Sequence, residues 1–204
     1  MTRLTRAESQ ARTRSLIVEA ATRLFLRDGF QVTSLEQIGE EAGFTRGAVY
    51  SNFPSKTAMG IAVINELYER EARRLEAALE QCEHLDSWFD ALAAWAEQTI
   101  GDPDWTRLEI ELAAFSAHDE SYRAAAAARY ARMRQHWAAL LRSRPGGRLP
   151  MDANALSTTV FALALGTGVQ RAYDPDLAGS AWVEMMRALL APASARSGAA
   201  AAAA

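Results

Sequence analysis

Six residues between Thr45 and Ser51 have the types and spacing to hold a nucleic acid: Thr45, Arg46, Gly47, Ala48, Tyr50 and Ser51. Arginine offers a planar fork of donors that matches two acceptors on a guanine edge. Hydroxyl and phenol groups suit phosphate oxygens. Glycine and alanine leave room for a close approach. Gly47 is informative because it stands inside a short helical pattern, where glycine costs roughly 1 kcal/mol against alanine.

No other chemistry is spelled out in the chain. His84, His118 and His136 are scattered, and none has a partner at the i, i+4 spacing of a helical metal pair. Glu109 and Glu111 are two apart, so they fall on different helix faces and are expected to be solvated, not to act as a carboxylate dyad. No phosphate-binding glycine loop and no G-x-S-x-G elbow occurs. Cys82 is the single cysteine, which rules out an intrachain disulfide or a cysteine-based zinc site. No catalytic residue, metal ligand or cofactor is expected, and the chain does not read as an enzyme.

The elements that must position these residues are short helices. Thr33 reads as an N-cap with Glu36 at the capping-box distance, and Leu35, Ile38 and Ala42 share one face. Gly43 stops that helix, Thr45 caps the next, and Val49 and Phe53 give it an inward stripe. Pro54 ends it, and Ser55 caps a third helix. Helix, glycine turn and helix in this space is the helix-turn-helix pattern, whose second helix enters the major groove. On spacing alone, an ordinary helical hairpin with a solvated face stays open. A preceding helix over about Ser9–Asp28 carries a stripe of Leu16, Ile17, Ala20, Ala21, Leu24 and Phe25, and residues 1–8 read as an arm bearing Arg3 and Arg6.

The run TSLEQIGEEAGFTRGAVYSNFPSKTAM, with RSLIVEAATRLFLRDGF before it, closely resembles the DNA-binding segment of the tetracycline-repressor (TetR) family of bacterial regulators. The resemblance covers about the first sixty residues. It implies a homodimer that binds a palindromic double-stranded operator, represses transcription, and is released by a small-molecule effector. It also implies that Arg46 contacts base edges, that Gly47 and Ala48 allow close approach, and that Thr33, Tyr50 and Lys56 reach phosphates. Where many members carry threonine at Ala48 and histidine or tyrosine at Ser51, this chain offers fewer hydrogen bonds, which shifts weight to DNA shape.

The rest of the 204 residues must be read physically. Half are hydrophobic, glycine and proline are sparse, and five further helix patterns follow the long one that starts after Ser55. Asp86, Asp102, Asp119, Asp152 and Asp176 stand before these runs as caps. The expected fold is all-α, with a three-helix helix-turn-helix domain over 1–54, a larger six-helix ligand-binding and dimerisation domain over 55–192, and a disordered tail over 193–204. The net charge of −3 divides unevenly: residues 1–60 hold eight Lys/Arg and six Asp/Glu, while the remainder is acidic. No signal peptide and no membrane span is expected, which fits the cytoplasm.

Five tryptophans are many for this length. Trp88, Trp95, Trp105, Phe115, Tyr130 and Trp137 are candidates to line a pocket for a small hydrophobic or flat ligand. Phe161, Leu165, Trp182, Met185, Met186 and Leu189, on the last two helices, are candidates for a two-fold interface. Two rival readings remain at this stage. One is a ligand-independent or activating regulator of the same fold, and the other is a helical protein-interaction module.

Overall fold

The computed structural model describes residues 5–146 and 148–190. Among them the chain forms nine helices and no strand: α1 (Arg6–Asp28), α2 (Leu35–Ala42), α3 (Arg46–Asn52), α4 (Lys56–Leu79), α5 (Leu85–Thr99), α6 (Pro103–Phe115), α7 (Glu120–Ser143), α8 (Ala153–Arg171) and α9 (Ala181–Leu190). The fold is all-α, with a three-helix N-terminal segment followed by six helices. None of the described helices is long and apolar enough to cross a membrane.

Contacts divide the chain into two compact units. One is the chain up to Tyr68 together with Asp104–Arg129, and the other is Glu69–Pro103 together with the chain from Tyr130 onward. Helices α4 and α7 therefore contribute to both. The anticipated tail over 193–204 and the arm residue Arg3 lie outside the described residues.

Several helix starts differ from the sequence expectation. Helix α1 begins at Arg6, not near Ser9, because Thr5 and Glu8 close a capping box that the spacing T-x-x-E already encoded. The cap of α2 is Ser34, paired with Gln37, and not Thr33 with Glu36. The cap of α5 is His84, two residues before Asp86. Helix α9 starts at Ala181; Asp176 lies in a turn ahead of it, and Ser180, the residue before the helix, donates its amide to Glu97 at 3.1 Å. Ion pairs Glu69–Arg73 and Glu71–Arg74 run along α4, at 4.0 and 3.0 Å.

In the first unit the core is Ile17, Ala20, Ala21, Phe25, Phe30, Ile38, Val49, Phe53 and Met59, all fully buried. Helix α6 packs tightly into it. A Cβ on Gly60 of α4 would stand 2.7 Å from Leu112 and 2.9 Å from Phe30, so glycine is what permits that approach. The Thr57 and Ser116 hydroxyls pair in the same buried seam at 3.3 Å. In the second unit, Trp137 sits between Trp95 and Trp182, with ring centroids 6.0 and 5.7 Å away. Edge-to-face geometry of this kind adds specificity to the apolar burial.

Candidate nucleic-acid interface

The reading head is built on α2 and α3. Gly43 adopts the left-handed conformation, φ 72°, that lets the chain reverse in so few residues. The Phe44 amide then donates to the Gly39 carbonyl at 2.8 Å. Gly39 has no side chain where Val49 and the Phe44 carbonyl come close, so the two helices meet at short range. Val49 and Phe53 are fully buried and fix the inner face of α3.

The outer face follows from that constraint. Thr45, Arg46, Gly47, Tyr50 and Ser51 are exposed, and Ala48 is half-buried. Thr45 caps the helix, its hydroxyl accepting the Ala48 amide at 3.3 Å. At the other end Arg14 donates to the Asn52 carbonyl at 2.8 Å, and its guanidinium lies 4.1 Å from the Phe53 ring centroid. A cation on the last carbonyls of a helix complements its dipole, so Arg14 steadies α3 from α1. Nothing in the sequence pattern singled out Arg14. Its distance of 38 residues from Asn52 hides the contact. A Cβ on Gly47 would meet only the Thr45 hydroxyl, at 4.0 Å. The fold itself therefore does not require glycine there.

Two of the candidates do not lie open on this face. Thr33 is 3% exposed, and its hydroxyl donates to the Gly29 carbonyl at 2.8 Å, so it closes the α1–α2 turn and offers no free hydroxyl to a phosphate. Lys56 is half-buried. Its ammonium donates to the Gln31 carbonyl at 2.8 Å and lies 4.8 Å from the Phe30 ring centroid. Burial lowers the Lys56 ammonium from the ordinary lysine range, while the nearby Glu111 carboxylate pulls it back up. Its position under the turn is that of a brace.

The two glutamates of α6 also differ from the expectation of solvated groups. Glu111 accepts the amides of Phe30 and Gln31, while Arg107 donates to the Leu26 carbonyl and to Asp104. Glu109 faces Arg129 and the Tyr68 hydroxyl, and burial raises its carboxyl above the usual range against the lowering pull of both partners. The two do face different ways, as their spacing requires.

The aromatic candidates are spread through the fold. Trp95 and Trp137 come together in the second unit, and Tyr130 packs edge-on against Phe161 there, at 5.4 Å. Trp88 is a buried core residue beside Phe89. In the first unit, Trp105 packs on Tyr68, and Phe115, with 56% of its surface exposed, packs on Phe30. Of the interface candidates, Trp182, Phe161 and Met186 point into the core. Met185 and Leu189 stay 42% and 47% exposed, and Leu165 is half-buried. Trp182 and Met186 face inward because α9 buries its 182, 183, 186 and 190 positions against its neighbours, and Phe161 is buried on α8 beside Tyr130.

Comparison with known proteins agrees with this geometry. Residues 17–63 match the family described as bacterial regulatory proteins, tetR family. A solved structure of a TetR-family transcriptional regulator from Pectobacterium atrosepticum superposes over 93% of this chain and 99% of its own, with TM-score 0.73 at 23% identity. Residues 17–63 carry the TetR-family sequence. Among curated relatives, the HTH-type transcriptional regulator ArpR of Pseudomonas putida is 41% identical over 86 residues. That match takes in 42% of this chain, which spans 40% of ArpR's length. A transcriptional regulator from Saccharomonospora viridis, solved in complex with choline, shares the fold at TM-score 0.64 and 22% identity, over 86% of this chain and 93% of its own. The TetR family is one of regulators, not enzymes. Among the described residues no group of three or more His, Cys, Asp or Glu could hold a metal ion.

Proposed function

We propose that this chain is a cytoplasmic transcriptional repressor of the TetR kind that binds a palindromic operator as a homodimer and is released by a small, hydrophobic effector. The observation that carries the reading is the outer face of α3. It holds an exposed arginine, tyrosine and serine beside a glycine that the fold does not need, on a helix locked from behind by Val49, Phe53 and Arg14. In this reading residues 1–54 read DNA, and residues 55–192 carry the effector and dimer contacts. Arg46 contacts a base edge, and Tyr50, Thr45 and Ser51 contact phosphate or sugar.

Two such heads must stand roughly 34–36 Å apart, one turn of duplex, or a multiple of it. An effector that binds the DNA-incompetent state more tightly shifts the population away from that spacing. One with equal affinity for both states shifts nothing. The Trp95–Trp137–Trp182 array and Tyr130 supply flat apolar surface for such a guest. The choline-bound neighbour supports a small molecule as occupant of this fold. Exposed apolar residues on the last two helices, Val169 on α8 and Met185 and Leu189 on α9, support a second copy as partner.

A reporter gene placed behind a site selected by the protein tests the direction of control. Expression should fall when the chain is present and recover with Arg46→Ala. Expression that rises instead identifies an activator of the same fold, and expression that ignores the chain removes the regulatory reading.

A further inference from the structure

One carboxylate oxygen on the reading head holds two side chains of α3 at once. Glu36 Oε1, on α2, lies 3.1 Å from Arg46 Nε and accepts the Tyr50 hydroxyl at 3.3 Å. The Arg46 guanidinium carbon is in turn 5.2 Å from the centroid of the Tyr50 ring. The three residues form a closed bracket across the glycine turn, on the face whose other members are Thr45, Gly47 and Ser51.

The bracket does little for the fold. The Arg46 side chain is 70% exposed and that of Glu36 41%, and solvated pairs of this kind contribute almost nothing to stability. Ile38, Val49 and Phe53 already clamp α2 to α3. A negative charge beside the helix that must meet phosphates weakens attraction to any DNA. Its presence there calls for a compensating role in binding.

The geometry supplies that role. A carboxylate at Nε leaves the two terminal nitrogens of the guanidinium for the O6 and N7 of a guanine. It also removes rotameric freedom that a long side chain would otherwise lose on binding. Away from its site, the carboxylate neutralises Arg46 and so reduces what a random phosphate gains from it. The Glu36 carboxyl is held below the ordinary range, first by its own backbone amide and then by Arg46 and the Tyr50 hydroxyl, so it is charged at neutral pH.

We infer that Glu36 is a specificity-determining residue of the reading head: it aims the Arg46 fork at a guanine and penalises contact with non-cognate DNA. The inference rests on the DNA-reading function proposed above. The test uses the full chain, duplexes that the wild type selects from a random pool, and shuffled duplexes of the same length. Dissociation constants are measured over a salt series for wild type, Glu36→Gln and Glu36→Ala, with thermal unfolding alongside. Both variants should bind the shuffled duplex more tightly and the selected duplex more weakly, so that the ratio falls about tenfold or more. The salt slope on shuffled DNA should steepen by about one, and the unfolding midpoint should stay unchanged. Sites reselected by Glu36→Ala should lose their preference for guanine at one position in each half. A ratio that matches wild type, with or without a lower midpoint, overturns the inference and leaves Glu36 a structural tie. A wild type that selects no sequence at all overturns the proposed function, and this inference with it.

Discussion

Glu111 accepts the backbone amide of Phe30 at 2.7 Å, across 81 residues of sequence. The same carboxylate takes the Gln31 amide at 3.2 Å, and Gly29 leaves it the space, since a Cβ there would stand 3.3 Å from both oxygens. Lys56 meets the same turn from α4 through the Gln31 carbonyl. The turn that leads into the reading head is thus held by a donor from α4 and an acceptor from α6.

Removing that acceptor leaves two amides to find other partners. Glu111→Ala should lower stability by about 1.5–3 kcal/mol, the range for hydrogen bonds to a charged group, and Glu111→Gln, which keeps one acceptor, by less. Urea unfolding of the two variants checks this. A Glu111→Ala midpoint equal to wild type would show that the contact does not hold the turn.

Gly47→Ala separates the demands of the fold from those of the ligand. The new Cβ enters open space, so helix propensity should raise stability by up to about 1 kcal/mol. If DNA approaches the helix at Gly47, affinity for the selected duplex should fall at least several-fold in the same protein. Affinity that rises or holds alongside stability would remove Gly47 from the interface.

The outward apolar pair on α9 gives a test of pairing. Met185→Glu with Leu189→Glu places two charges on residues that are 42% and 47% exposed in the single chain, so the fold should tolerate them. Sedimentation should then show a monomer where the wild type is a dimer, and operator affinity should collapse. A double variant that still sediments as a dimer would move the interface elsewhere.

Glu109 predicts a pH dependence. Burial raises its carboxyl in the folded state, with Arg129, Tyr68 and Tyr122 as its charged and titratable neighbours. Between the ordinary glutamate value and the raised one, the folded chain binds more protons than the unfolded chain, so this group's contribution to stability falls as pH rises. Glu109→Gln should flatten that part of the profile of unfolding midpoint against pH. A profile with the wild-type slope would assign the dependence to other groups.

Much of the reading head was legible in the sequence because its signals are local. The left-handed turn at Gly43, the Thr45 cap and the inward Val49 and Phe53 each depend on neighbours within a few residues. The wrong cap at Thr33 shows the limit of such signals. Thr33 and Ser34 both stand at capping distance from a suitable partner, and only the fold, by burying Thr33 on the Gly29 carbonyl, decides between them.

Contacts between distant segments were not legible. Lys56, Arg14 and Glu111 look like solvated charges on their own helices. Each becomes a brace only when a partner 25 to 81 residues away is brought to it. Helix periodicity also marks which residues of α9 are apolar without saying which of them face the core. Trp182 and Met186 took the inside and left Met185 and Leu189 outside.

The central claim is that α3 reads duplex DNA as one of a symmetric pair. Selection of bound duplexes from a random pool by the wild-type chain at low salt tests it most directly. The account predicts an inverted repeat with half-site centres one helical turn apart or a multiple of it, lost when Arg46 is replaced by alanine. A pool that emerges unenriched, or a consensus indifferent to Arg46, would contradict it.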